Sequence, residues 1–248
     1  MSILSVVVIC GILMIASLLV VSFVNRQHTR KRVVTHKIWE LRRRINELEE
    51  VAAAIEPLVE SPIIPKAIND EIIDLIHTVT GLDPSIVYLE SNLRTAQALS
   101  AAYMEQTAPS VLYRVQPSDA AIARAQHYLQ EAGRIVRSQQ IAGRIDGMEM
   151  DQFIRELGWA HLMVEVLSHI GQGHKALARS DVLSAYGYYR NAINKLMTST
   201  VTDERKHRLI REVSEILQNK RKAISLDLMP ESNLNPGANT PDLPIQGI

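Results

Sequence analysis

Hydrophobic positions along this chain follow three successive patterns. From Ile3 to Val24 they are nearly continuous, 22 residues without a charge. About 20 apolar residues at 1.5 Å rise per residue cross a hydrocarbon core of roughly 30 Å, so this run predicts a transmembrane helix. The second pattern alternates by four and three: Val34, Ile38, Leu41, Ile45, Leu48, Ala52, Ile55 and Val59. That is the heptad spacing of an amphipathic helix, with polar residues between. With Ile38 and Ile45 at one core position and Leu41 and Leu48 at the other, it fits a parallel two-stranded coil and a homodimer, or a helix packed on the chain's own body. The third pattern, from Ile68 onward, has period 3.6 in stretches broken by Pro and Gly. Alternating strand patterns are absent, so the predicted fold class is all-α: an N-terminal transmembrane helix, a juxtamembrane coiled-coil helix, and a helical bundle.

The breaks set the expected organisation: an anchor at 1–25, a basic flank and coil at 26–56, a Pro-rich linker at 57–65, a helical domain at 66–224 and a disordered tail at 225–248. Pro57, Pro62 and Pro65 place the linker, because proline disfavours helix at itself and at the preceding residue. In the body, Ile68, Ile72, Ile76 and Val79 mark a first helix stopped by Gly81. Asp83-Pro84 opens a second, running to about Gln106. Pro109 and Pro117 bracket an irregular connection, and Ser118-Asp119 caps a third helix. Met148 to Ile170 is apolar on most of its circumference, which predicts the central helix. Charged and His residues inside it, among them Asp151, Arg155, Glu156, His161, Glu165 and His169, exclude a second span. Gly171 and Gly173 mark its expected bend or end. Thr202-Asp203-Glu204 starts a last helix with an apolar stripe and a basic outer face, and the Pro-containing tail from Met229 reads as disordered.

Charge gives the anchor a direction. Residues 26–44 hold eight Lys/Arg against Glu40, a net +7, and the whole chain is neutral, so the remainder carries −7. Basic residues flanking a span favour the cytoplasmic side, which puts the N-terminus outside and the body in the cytoplasm. Arg26 to Arg32 would also meet anionic lipid headgroups. Two uncharged residues precede the apolar run and no small-residue cleavage site follows it, which favours an anchor over a signal peptide. The acidic body argues against nucleic acid as a partner. Cys10 is the only cysteine, so no intrachain disulfide or Cys-based zinc site is available. The layout suits a bacterial inner membrane.

Between residues 169 and 197, Gly173 and Ala176 are followed by Ser180-Asp181, then by Ala185, Tyr189 and Ala192. This spacing resembles a tetratricopeptide hairpin, in which small residues let two helices approach and an aromatic fills the gap. It departs from that family at Gln172, where a large apolar residue is expected, and at Met197, where proline is common. The resemblance implies protein–protein interaction. No second copy with the same spacing follows, whereas arrays use three or more.

No nucleotide-binding, nucleophile-elbow or zincin motif occurs. His161, Glu165 and His169 share one helix face and are the best grouping with metal-ligand chemistry, but His on an apolar helix more often serves as a hydrogen-bonding group. Glu204-x-x-His207 is half of a di-iron motif without its second half. No metal, cofactor or catalytic residue is therefore expected. The expected function is that of a membrane-anchored adaptor or assembly factor, with a structural subunit of a larger membrane complex, or an enzyme centred on His161, as alternatives. The candidate partner-binding residues are Tyr186, Tyr188 and Arg190 on the hairpin, and Arg208 and Arg211 on the last helix.

Overall fold

A computed structural model describes residue 14, residues 31–84, 86, 88–105, 112–231, 234 and 235. Of the apolar run at 3–24 only Met14 is among them, so the predicted anchor lies outside the described residues, as do residues 26–30 of the basic flank and 236–248 of the tail. Among the described residues no helix is long and apolar enough to cross a membrane. Those residues form seven helices and no strand: α1 over residues 31–55, α2 (Ile63–Leu82), α3 (Tyr88–Glu105), α4 (Asp119–Ile141), α5 (Gly147–Ala178), α6 (Val182–Thr198) and α7 (Glu204–Leu217). The all-α class is as the periodicity predicts.

Capping chemistry sets four helix starts. Ser118, Asp146, Asp181 and Asp203 each accept a hydrogen bond from a backbone N–H in the first turn of α4, α5, α6 and α7. Each such cap contributes about 1 kcal/mol.

Helix α5 is the axis. Its 32 residues make it about 48 Å long. Phe153, Leu157, Ala160 and Val164 face a first core built from α1, α2, α3 and α4. Trp159, Leu162, Met163, Val166, Leu167 and Ile170 face a second core, closed by α6, α7, Val115 and residues 224–229. The stretch is apolar all round because it serves one core on each side. Gly171 and Gly173 do not end it; both are buried inside it.

This packing bears on three expectations. Ile38, Ile45 and Leu48 are buried in the chain's own first core, with Leu41 partly buried beside them. The heptad face is thus occupied by intramolecular partners, and the four residues proposed as a coiled-coil interface are not exposed to a second copy. A Leu or Ile side chain gains about 1.5–3 kcal/mol on burial, and this body supplies that burial itself. Second, residues 57–65 are partly buried. Leu58 and Val59 are buried in the same core that takes α1 and α2, and Pro62 and Pro65 sit at the cap and in the first turn of α2, where proline is tolerated. Third, the start of the tail is ordered. Ile224, Leu228 and Met229 are buried in the second core, and the buried Asn235 side chain accepts from Ile224 N–H and donates to the Ile224 and Met229 carbonyls at 2.7–3.1 Å.

The α5–α6 hairpin follows the packing argument given for it. Ala176, Ala185, Tyr189 and Ala192 are buried in the second core. A Cβ on Gly173 would lie 2.6 Å from Tyr189 Cε1, so only glycine leaves room for that ring. Ser180 takes the left-handed conformation in the turn, with φ 62°.

Candidate functional site

Helices α4, α5 and α6 leave an open polar hollow of about 410 Å³ between them. Asp119, Ile122, Ala123 and Gln126 come from α4, Glu165 and His169 from α5, and Asn191, Asn194 and Lys195 from α6. Spacings of three and four residues put each set on one helix face. A second hollow of about 310 Å³ continues along the α4–α5 seam and is lined by Gln130, Gly133, Arg134, Arg137, Ile154 and His161, among others. The two hollows follow one another along the α4–α5 seam, and this stretch of surface, termed the trough below, has amides lining the first hollow and arginines lining the second.

Electrostatics within the trough are mostly settled internally. Lys195 Nζ lies 2.6 Å from Glu165 Oε1, and Gln126 Nε2 donates to Glu165 Oε2 at 3.3 Å. Gln130 Nε2 and His161 Nε2 are hydrogen-bonded at 3.2 Å. Burial pushes the His161 pKa down, and the nearby Glu165 carboxylate only partly opposes this. His161 is thereby held neutral near pH 7. The His169 ring stacks on Tyr188 with centroids 6.3 Å apart.

His161, Glu165 and His169 therefore do face one side of α5, as their spacing implies, but each engages a different neighbour. Among the described residues no group of three or more His, Cys, Asp or Glu is arranged to hold a metal. Exposed Asn191 and Asn194 offer amide donors and acceptors, and exposed Arg137 offers a cation. An amide group can both donate to and accept from a peptide backbone.

The proposed partner-binding residues do not form one surface. Tyr188 borders the trough through its stack on His169. Tyr186 points instead towards the end of α7, where its hydroxyl accepts from Asn219 Nδ2 at 3.3 Å. Arg190 and Arg211 are exposed. Arg208 pairs with Asp227 and lies 3.6 Å from Glu212, so its charge is used to hold the C-terminal segment. Gln126, Asn191, Asn194 and Lys195 were not singled out from sequence. The signal was present in the 188, 191, 194, 195 spacing on α6, a face that the candidates share through Tyr188 but not through Tyr186.

A second polar assembly lies where the two cores meet. Arg114 is only 3% exposed. Its Nε donates to the Leu58 carbonyl at 2.7 Å and its NH2 to Glu60 at 3.1 Å. Glu231 Oε1 accepts from the Arg114 and Val115 backbone N–H groups, at 2.6 and 3.2 Å. Arg205 also donates to Glu60, at 2.7 Å, and lies 4.7 Å from the Trp159 ring centroid. Burial pushes the Glu60 carboxyl up, but Arg205 and Arg114 outweigh it and hold the pKa below the usual range. Glu156 goes the other way: burial raises it against the hydrogen bond from Ser61 N–H. This junction ties the α1–α2 turn, the 112–116 segment, α5, α7 and the C-terminal segment together. Each charged side chain in it has at least one protein partner, which makes it a fastening between the cores, although Glu231 Oε2 is buried without a hydrogen bond.

The chain matches no known family, no curated protein and no solved structure.

Proposed function

We propose that this protein is a membrane-anchored adaptor or assembly factor whose helical body binds a protein partner in the α4–α5–α6 trough. The single observation carrying this reading is the trough's chemistry. Exposed Asn191 and Asn194 suit the backbone of an extended peptide, and Arg137 suits an acidic side chain of the same segment. The anchor is residues 3–24 and the body is cytoplasmic, on the charge argument given above. The protein acts by binding and not by catalysis, and needs no cofactor.

The test is affinity purification from native membranes of the full chain beside Asn191→Ala/Asn194→Ala/Arg137→Glu. A partner that copurifies with the full chain should be lost from the triple variant at unchanged thermal stability. Equal retention by both would refute the trough as the binding unit. A second reading, a subunit held permanently in a larger complex, is favoured by the exposed apolar tip of the hairpin, where Leu183 is 87% exposed beside Val182 and Leu177. It predicts loss of the partner with Leu183→Ser and retention with the trough variant.

A further inference from the structure

The face of α1 turned away from the core carries an unusual stripe. Arg32, His36, Trp39 and Arg43 stand at i, i+4, i+7 and i+11, opposite the buried Ile38, Ile45 and Leu48. Trp39 is 59% exposed. The His36 ring stacks on it with centroids 6.4 Å apart and planes within 11°, and the Arg43 guanidinium lies 5.9 Å from its centroid. Beside the stripe, the Arg42 guanidinium sits 4.9 Å over the ring of Tyr88, which is also exposed. Between residues 31 and 44 there are six Lys/Arg and a single acid, Glu40. The next exposed residues include Glu47, Glu49 and Glu50, so the basic character stops after Arg44. Glu40 and Glu47 pair with His36, Lys37, Arg43 and Arg44 along the helix but leave the segment net positive, and an exposed indole and phenol among these cations suit a partner that is both negatively charged and apolar below its surface.

We propose that this stripe rests on an anionic bilayer surface, so that α1 runs along the membrane instead of continuing along its normal. Trp and Tyr concentrate at the headgroup level, where one end of the ring system is apolar and the other wet. Lys and Arg are drawn to anionic headgroups, about fivefold in binding per residue. Reach is sufficient: six residues lie between Val24, the end of the apolar run, and Lys31, and the seven Cα–Cα steps they create cover up to about 25 Å when extended. Had α1 continued the span as one helix, Trp39 would stand about 22 Å beyond its end, clear of the headgroups. The inference rests on the anchor reading of residues 3–24. It adds that the body is held in one orientation, with Trp39 and Tyr88 as the contact points.

The test uses the full chain in nanodiscs of phosphatidylcholine, or of phosphatidylcholine mixed with phosphatidylglycerol. The chain has two tryptophans and Trp159 is buried, so subtracting the spectrum of Trp39→Phe isolates Trp39. The expected result is a blue-shifted Trp39 emission, quenched about twofold or more by a headgroup-level lipid quencher in the mixed discs, and reversed by raised salt or by Arg32→Glu/Arg43→Glu. A water-like, unquenched Trp39 in both discs would overturn the proposal while leaving the anchor intact. So would a shift that appears only on adding a membrane protein extract, which would assign the stripe to a protein partner. Failure of the full chain to enter discs at all would overturn the anchor reading together with this one.

Discussion

Replacing Gly173 with alanine probes the tightest approach in the body. The new methyl carbon would lie 2.6, 2.9 and 3.0 Å from Cε1, Cζ and Cδ1 of Tyr189. The ring cannot step aside cheaply. Its side chain is fully buried, and its hydroxyl is hydrogen-bonded to His174 Nδ1 at 2.9 Å. Forcing an extra methyl into such a contact costs about 1–3 kcal/mol. Alanine also gains up to about 1 kcal/mol over glycine in a helix interior, so a net loss of up to about 2 kcal/mol is expected. Gly187, in the interior of α6, supplies the control, because a Cβ there meets nothing within 4 Å. Gly187→Ala should therefore stabilise, by up to about 1 kcal/mol. Urea unfolding of the two variants in detergent, followed by circular dichroism, should separate them by about 2 kcal/mol in opposite directions from the parent. Tyr189→Leu on the Gly173→Ala background should cost less than on the parent, by a coupling of about 1–2 kcal/mol. Equal stability of the two glycine variants would refute the close packing of α5 and α6.

Two further predictions concern buried polar groups. Burial pushes the His174 pKa down to about 4. The unfolded chain, with its His near 6.5, therefore takes up a proton that the folded chain refuses. Stability is complete above about pH 6.5 and falls by about 2.5 kcal/mol by pH 4.5, and His174→Asn should flatten that part of the curve when unfolding midpoints are measured at the two pH values. Glu231→Ala would leave the buried N–H groups of Arg114 and Val115 without their acceptor. It should cost about 2–3 kcal/mol in thermal unfolding and expose the C-terminal segment to protease, whereas Glu231→Gln, which keeps a carbonyl, should lose less.

How much of this was legible follows from what each kind of signal reports. The spacing of Val34 to Val59 shows that a helix face is buried, but it reads the same whether the partner is a second copy or α2 of the same chain. Leu58 and Val59 were the warning that the Pro57–Pro65 stretch was not a free linker, since a solvated linker has no use for two adjacent large apolar residues. The caps at Ser118 and Asp203 and the central role of Met148 to Ile170 were readable because they depend on neighbours within a few residues. Gly171 and Gly173 read both as a bend or end of the helix and, at Gly173, as a small packing position, because a glycine's conformational freedom and its lack of bulk look alike in sequence; the helix runs on to Ala178, so here the lack of bulk decides. The Arg114–Glu231 contact joins residues 117 apart, and no local pattern announces such a pair. The trough is assembled from three helices and emerges only once α4 is laid beside α5 and α6.

One practical consequence bears on partner searches. Truncation up to residue 60 would remove α1 and its six buried residues of the first core, among them Leu48 and Ile55, so a soluble form should begin no later than residue 31. The central claim is best met by a photo-crosslinking side chain placed at Asn194 of the full chain in native membranes, with Gln218 at the exposed end of α7 as the comparison site. Binding in the trough predicts a discrete adduct from Asn194 that is absent from Gln218 and from the Asn191→Ala/Arg137→Glu background. No adduct from Asn194, or the same adduct from both positions, would contradict it.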